Sequence, residues 1–219
     1  MSHSDKPTRI LIVDDHPMVR EGMAMRISMQ ADLEICGEAA TEEEAIALIE
    51  ETHPDLMVVD LSLKCGHSLD VIKRTNKRHP SIKMLVVSGF QESLYAERAI
   101  RAGAMGYLNK QHSHDAVIDA IRTVLRGERY LGTYLSQRLI AQALGTSDPS
   151  CAPIEQLTDR ELEVFRMIGE GLTSGAIAID LHLSTHTIDT HRENIKRKLG
   201  AKNAAELSRQ AVQWVLESR

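Results

Sequence analysis

Ile10-Leu11-Ile12-Val13-Asp14-Asp15-His16-Pro17 decides the fold of the first half of the chain, because an apolar run breaks off at two adjacent carboxylates. The run from Arg9 to Val13 has no polar alternation, which fits a strand covered on both faces, as in a parallel sheet. In open parallel α/β sheets, ligands bind beyond the carboxyl ends of the strands, where Asp14 and Asp15 would stand. The competing reading is local: Asp15 caps the next helix, with Pro17 in its first turn.

The layout recurs. Leu56-Met57-Val58-Val59-Asp60 ends in a carboxylate, Met84-Leu85-Val86-Val87-Ser88 in a hydroxyl, and Gly106-Tyr107-Leu108-Asn109-Lys110 in an ammonium. Parallel strands in one sheet would bring Asp14, Asp15, Asp60, Ser88 and Lys110 to one crevice, and independent helix caps do not explain a lysine at the last strand. Two carboxylates about 4 Å apart repel by roughly 4 kcal/mol at an effective dielectric near 20, so a third Asp calls for a cation. Oxygen-only ligands, with no His or Cys at the strand ends, suit a hard divalent ion, most simply Mg2+. With Lys110 and Ser88 added, the cluster has the parts of a phosphoryl acceptor site, and Asp60 is the candidate nucleophile.

On these residues, positions 8 to about 127 resemble the receiver domain of bacterial two-component response regulators. The resemblance implies that Asp14 and Asp15 hold Mg2+ together with Asp60. It implies that Asp60 takes a phosphoryl group from the phosphohistidine of a sensor histidine kinase and that Ser88 and Lys110 contact that group. It also implies that the aromatic Tyr107 changes rotamer. Two positions depart from the family pattern. Lys64-Cys65-Gly66-His67 stands where Pro-Gly is common, and Gln111 follows Lys110 where proline is common, leaving the peptide geometry there open.

At 219 residues the chain is long for one receiver and sufficient for two small domains. A hydrophobic content of 42% with 26% charged residues is ordinary for a globular protein, and no stretch approaches the roughly 18 apolar residues of a membrane span. Met1 to Pro7 is polar and lacks the apolar core of a signal peptide, so a cytoplasmic protein with no membrane partner is expected. Cys36, Cys65 and Cys151 form no metal pair and no disulfide framework. Cys65, beside the acceptor loop, reads as a plain free thiol.

Helical patterns separate the strands and make the first half a doubly wound parallel α/β sheet, and the receiver resemblance implies its five-stranded, CheY-like form. Met18, Met23, Met25, Ile27 and Met29 mark the first helix, where the methionines read as core filler. Leu33 to Gly37 is a short second strand. Thr41-Glu42-Glu43-Glu44 is a capping box. Further helices fit Leu69 to Lys77, Leu94 to Arg101 and Ala116 to Arg126. Residues 128–153 read as a linker containing a possible short helix from Leu135 to Leu144, and Gly145 to Pro153 is rich in turn formers.

Residues 154–219 carry no strand signal and four helical ones, an all-α domain. Thr158 to Glu161 is a capping box opening a helix with Leu162, Phe165, Met167 and Ile168. Helices at Ser174 to Leu181 and Thr185 to Leu199 are joined by a short turn, which reads as helix-turn-helix. A last helix, Ala204 to Leu216, carries the single tryptophan, Trp214. From Leu157 to Trp214 the segment resembles the LuxR-type DNA-binding domain, in its Leu-Thr-x-Arg-Glu, Gly-Leu, Ile-Ala, Ser-x-x-Thr-Ile, Asn-Ile and Lys-Leu-Gly elements. The whole chain resembles a NarL/FixJ-type response regulator.

Charge supports DNA binding only locally, since residues 153–219 hold nine Lys and Arg against ten Asp and Glu. Arg192, Lys196, Arg197, Lys198 and Lys202 cluster at the end of the third helix, a footprint for phosphates opposed nearby by Glu193. With Thr185, Thr187 and Thr190 they are the candidate DNA contacts, although Asp189 and Glu193 stand where lysines are common in the family.

The expected function is a response-regulator transcription factor that binds double-stranded DNA, as a homodimer on DNA or when phosphorylated, and can engage the transcription machinery. Two alternatives compete with it. One is an aspartyl-nucleophile phosphohydrolase, which generally has a second acid two residues after the nucleophile, where Ser62 stands here; the expectation is therefore that the chain is not an enzyme. The other is a phosphorylation-controlled protein-interaction regulator whose helical domain no longer binds DNA.

Overall fold

The computed structural model describes residues 6–63, 68–144 and 153–217. Five parallel strands form one sheet: β1 (Thr8–Val13), β2 (Leu33–Ala39), β3 (Leu56–Val59), β4 (Lys83–Ser88) and β5 (Gly106–Asn109), in the order β2-β1-β3-β4-β5. Parallel neighbours require crossovers, and these are α1 (Pro17–Ser28), α2 (Glu42–Thr52), α3 (Ser68–Arg78) and α4 (Glu92–Ala102), with α5 (Ser113–Leu125) following β5. The strand order reverses between β1 and β3, which opens the ligand crevice at their carboxyl ends. Register fixes how deep that crevice is: Val13 pairs with Val59, and the Asp60 N–H donates to the Val13 carbonyl at 2.8 Å.

Side-chain alternation divides the core between the two faces of the sheet. Ile10, Ile12, Leu56, Val58, Leu85, Val87 and Leu108 pack with Met23 and Ile27 of α1 and with Val117, Ala120, Ile121 and Val124 of α5. Leu11, Val13, Met57, Val59, Met84 and Val86 point the other way and are equally buried. Each fully buried aliphatic side chain contributes about 1.5–3 kcal/mol, which is why these runs read as unbroken apolar sequence.

The methionines of α1 correct the expectation. Met23 is 6% exposed, whereas Met18, Met25 and Met29 are 80%, 71% and 75% exposed. At 100° per residue these three share a stripe opposite Met23 and Ile27, so helical spacing was right and burial was not. The first capping box is half formed. Thr41 accepts from the Glu44 N–H at 3.2 Å, while the Glu44 carboxylate takes the Ala40 N–H at 2.7 Å rather than that of Thr41.

The first compact unit runs to Leu139, beyond Gly127. After α5 the chain returns along the free edge of β5. The Tyr107 N–H donates to the Tyr130 carbonyl at 3.0 Å, and the Tyr130 N–H donates to the Met105 carbonyl at 3.0 Å. Gly106 permits this approach, since a Cβ there would stand 2.9 Å from Tyr130 Cβ. Helix α6 (Thr133–Ala143) follows. The Gly145 to Ala152 part of the expected linker, with Cys151, lies outside the described residues, as does the Lys64 to His67 loop with Cys65.

The second unit is helical. It holds α7 (Asp159–Gly169), α8 (Ser174–Asp180), α9 (Thr185–Leu199) and α10 (Ala204–Glu217). Both halves of the Thr158–Glu161 capping box are present. Phe165 of α7 meets Trp214 of α10 with ring centroids 5.7 Å apart. Gly169 lets the same two helices touch, because a Cβ on it would lie 2.4 Å from the Ala211 carbonyl oxygen. The α8–α9 turn, Leu181 to Ser184, passes through His182 at φ 51°, and Ser184 caps α9 by accepting from the Thr187 N–H at 3.1 Å.

Candidate functional site

The strand ends carry the expected groups, all deeply placed. Asp14 is 0% exposed, Asp60 1%, Ser88 0% and Asp15 9%. Lys110 Nζ lies 2.7 Å from Asp14 Oδ2 and 2.7 Å from Asp60 Oδ2, so the first, third and fifth strand ends meet at one ammonium. Burial pushes the Lys110 pKa down, but Asp60 and Asp14 outweigh it and hold the group above its ordinary value, charged. The Ser62 hydroxyl donates to the same Asp60 Oδ2. Asp60 Oδ1 is buried with no hydrogen-bond partner among the described residues.

Three carboxylates against one ammonium leave a negative crevice with an uncommitted oxygen, a donor set that fits a hard divalent ion. One ligand atom each from Asp14, Asp15, His16 and Asp60 lies within 4.8 Å of the others. His16 is a residue that counting strand-end donors missed. Pro17 restricts the residue before it to extended backbone, and His16 at φ −95°, ψ 106° is the N-cap of α1, without a side-chain cap bond. From there its Nδ1 reaches Asp15 Oδ1 at 2.7 Å and Asp14 Oδ1 at 3.2 Å. The local reading, in which Asp15 caps α1, is thereby corrected: Asp14 Oδ1 accepts the His16 N–H at 2.9 Å in a turn, and Asp15 faces His16. Arg20, also missed, donates from Nη1 to the Asp14 carbonyl at 2.6 Å and lies 3.5 Å from Glu38. Pro17 was the available signal for His16; nothing in the sequence pointed to Arg20.

Tyr107 is 1% exposed, and its hydroxyl donates to the Phe90 carbonyl at 2.9 Å. Burial raises its pKa well above the ordinary phenol, against the opposing hydrogen bond of Ser88, so the ring remains a neutral donor. The Tyr107 ring stands in the interior. Ser88 Oγ accepts the Phe90 N–H at 3.3 Å, Asn109 donates to the Phe90 carbonyl at 3.2 Å, and Phe90 stacks on Tyr95 with centroids 4.7 Å apart. The β4–α4 segment is thus tied on both sides to the crevice. No cis peptide occurs among the described residues, so the Lys110–Gln111 bond is trans.

In the helical unit, Ile188 and Ile195 bury one face of α9. Thr185, Asp189, Thr190, Glu193, Arg197 and Lys202 are exposed, with Thr187, Arg192, Lys196 and Lys198 half-buried. Arg192 makes no hydrogen bond or ion pair among the described residues, and Arg197 bonds only Asn194, at 3.1 Å. Thr187 Oγ1 lies 2.8 Å from Ser184 Oγ at the helix start, and the Thr190 hydroxyl returns to the His186 carbonyl at 2.9 Å. Lys196 is bonded to both Glu193 oxygens at 2.9 Å.

Lys198 departs from the expected phosphate footprint. Its Nζ lies 2.6 Å from Glu161 Oε2 and 3.2 Å from the Gln156 carbonyl, so it closes α9 onto the α7 cap. Burial opposes ionisation of Glu161, but Lys198 and the Thr158 N–H and hydroxyl overcome it and hold the carboxyl below its ordinary pKa.

Known proteins carry the same two modules. Residues 10–122 match the response regulator receiver domain, and residues 155–211 match the bacterial regulatory proteins of the luxR family. Oxygen regulatory protein NreC of Staphylococcus aureus (strain JH9) is 34% identical over 204 residues, covering 91% of this chain and 94% of that protein. RcsB from Salmonella enterica serovar Typhimurium, solved bound to promoter rprA with the phosphomimetic BeF3-, shares the fold at a TM-score of 0.69 and 22% identity, covering 93% of this chain and 98% of that one. A LuxR-family two-component response regulator from Aurantimonas sp. SI85-9A1 aligns at a TM-score of 0.58 and 31% identity over 64% of this chain and 99% of that one. An acidic strand-end crevice and a capped helix-turn-helix, each matched by its own family model, make the chain a member of the two-component response regulators that join a receiver domain to a luxR-family DNA-binding domain.

Proposed function

We propose that Asp60 accepts a phosphoryl group from the phosphohistidine of a sensor kinase and that this transfer controls DNA binding by α7 to α10. The observation that carries this reading is the division of labour at Asp60: Oδ2 is held by Lys110 and Ser62, while the buried Oδ1 has no hydrogen-bond partner among the described residues. Held in this way the carboxylate is a nucleophile fixed in orientation, with Oδ1 left for the ion that accompanies transfer. As the N–P bond to histidine breaks, an O–P bond forms at Asp60, and the Lys110 ammonium and Ser88 hydroxyl supply donors for the phosphoryl oxygens.

We assign Mg2+ to Asp14, Asp15 and Asp60. When bound, the ion neutralises the repulsion between these carboxylates and an incoming phosphoryl group. Arg20 and the His16 N–H position Asp14 for that role.

The added group brings about −1.5 to −2 charges on the phosphoserine precedent. Ser88 is bonded to the Phe90 N–H, and Tyr107 and Asn109 hold the Phe90 carbonyl, so a donor recruited at Ser88 pulls on the whole β4–α4 segment. A coupling of about 1–3 kcal/mol between the two modules changes DNA affinity some 5- to 150-fold. Arg192, Arg197 and Lys202, with Thr185, Thr187 and Thr190 at the start of α9, form the DNA face. Val212 and Leu216, 41% and 68% exposed on α10, supply an apolar surface for a second protomer. We place the protein in the cytoplasm; among the described residues no helix is long and apolar enough to cross a membrane.

The test labels wild type and Asp60→Asn with acetyl phosphate, with and without Mg2+, and measures DNA affinity for each. Labelling and tighter DNA binding are expected only for wild type with Mg2+. Undiminished labelling of Asp60→Asn, or equal affinity in all four conditions, overturns the reading. A second reading, a regulator acting through protein contacts alone, is favoured by Asp189 and Glu193 exposed on α9; failure to shift any genomic fragment would select it.

A further inference from the structure

The His16 ring stands in the acidic crevice without a part in the chemistry derived so far. We propose that it is a nitrogen ligand, making the crevice a mixed site with Asp14, Asp15 and Asp60 that favours first-row transition ions of the Mn2+ to Co2+ class more than a carboxylate-only site would. The proposal rests on the reading of the Asp cluster as an ion site and concerns which ion it selects.

Spacing supports it first. Neighbouring ligands around an octahedral ion with bonds of about 2.1 Å lie about 3 Å apart. His16 Nδ1 is 2.7 Å from Asp15 Oδ1 and 3.2 Å from Asp14 Oδ1. One donor atom from each of the four residues falls within 4.8 Å of every other, close to the span of opposed ligands around one centre.

The oxygens needed are also separate from those Lys110 takes. Lys110 pairs with Oδ2 of Asp14 and Oδ2 of Asp60. Asp14 Oδ1 faces His16, and Asp60 Oδ1, on a carboxylate sealed from solvent, has no hydrogen-bond partner among the described residues. That orphaned oxygen adds burial to the evidence of spacing, since a buried acceptor left alone is costly unless something occupies it. The His16 side chain is itself 54% exposed, which leaves an entry path.

Ligand chemistry then decides the ion. Carboxylates and water suit Mg2+ and Mn2+, while an imidazole nitrogen raises affinity for transition ions. The backbone supports the placement, because Pro17 restricts residue 16 to extended conformations.

The experiment titrates the metal-free full chain with Co2+ and with Mg2+ by calorimetry, and records the Co2+ visible spectrum. His16→Asn places a good helix-capping residue at the start of α1 and replaces the ring by an amide. Its Co2+ affinity is expected to fall about tenfold or more, the scale on which support of a metal ligand is felt, with Mg2+ affinity within about twofold of wild type and a shifted Co2+ spectrum. Equal loss for both ions, or no change for Co2+, overturns the proposal and leaves the Asp site standing. A double variant, Asp14→Asn with Asp15→Asn, is expected to lose both ions. If it retains Co2+ undiminished, the ion sits on other histidines among the ten in the chain and the proposal fails. If wild type binds neither ion, the acidic-site reading falls with it.

Discussion

Replacing Lys198 by methionine separates a structural lysine from a DNA-contacting one. Glu161 is 4% exposed, and its carboxylate keeps only the Thr158 N–H at 2.8 Å and hydroxyl at 3.0 Å once the ammonium at 2.6 Å is gone. Breaking a buried ion pair from one side costs about 3–5 kcal/mol. The Lys198 side chain is 26% exposed, so screening and recovered side-chain freedom reduce this to about 2–3 kcal/mol. The chain supplies its own probe: Trp214 is the single tryptophan and packs on Phe165 of the same helix that Glu161 caps. Urea unfolding followed by its fluorescence should show a midpoint lower by about 2 M for a domain of this size, at a slope near 1 kcal/mol per M. Replacing Glu161 by Gln alongside Lys198→Met should recover part of the loss, because no buried charge is then left unpaired. A loss under about 0.5 kcal/mol, on the scale of ordinary surface changes, would refute the structural role and return Lys198 to the phosphate footprint.

Gly169→Ala should cost at least about 2 kcal/mol on the same fluorescence scale, since its Cβ would meet the Ala211 carbonyl oxygen at 2.4 Å and backbone cannot yield; Gly171→Ala, at φ 88° with open space, should cost only about 1 kcal/mol. Stability of the helical unit should be level above pH 6.5 and fall as pH drops below it, because burial, then Arg160, holds His191 below its ordinary pKa of 6.5, so the unfolded chain binds the proton first. A second loss should follow below pH 4.5 as Glu161, held low in the fold, is protonated, and His191→Asn should remove the first phase alone. In DNA binding, Arg192→Ala and Arg197→Ala together should flatten the slope of log affinity against log salt by about 1.8 per protomer, at about 0.9 for each phosphate no longer neutralised; an unchanged slope would take α9 out of the interface.

What the sequence made legible follows from range. An apolar run ending in a polar side chain is local, so β1, β3, β4, β5 and the groups at their ends could be placed from their own residues. The Thr158–Glu161 cap spans three residues and formed as expected, whereas Glu44 chose the Ala40 N–H one position further out. Periodicity gives the angle between methionines on α1 but not which angle faces the sheet, and Met18, Met25 and Met29 lie on the solvent side. Lys198 looked free because its partner is 37 residues away along the chain. His16 was passed over because the donor count stopped at the carboxylates, although Pro17 already limited where its ring could go.

The return of the chain along β5 governs where this protein can be cut. Tyr130 occupies the outward backbone groups of Met105 and Tyr107 on what is otherwise an open edge of the sheet. A fragment ending at Gly127 would bare that edge over a short stretch including Tyr107 and Leu108, a template for pairing with another copy and for aggregation during purification. A fragment carried to Leu139 keeps the edge covered.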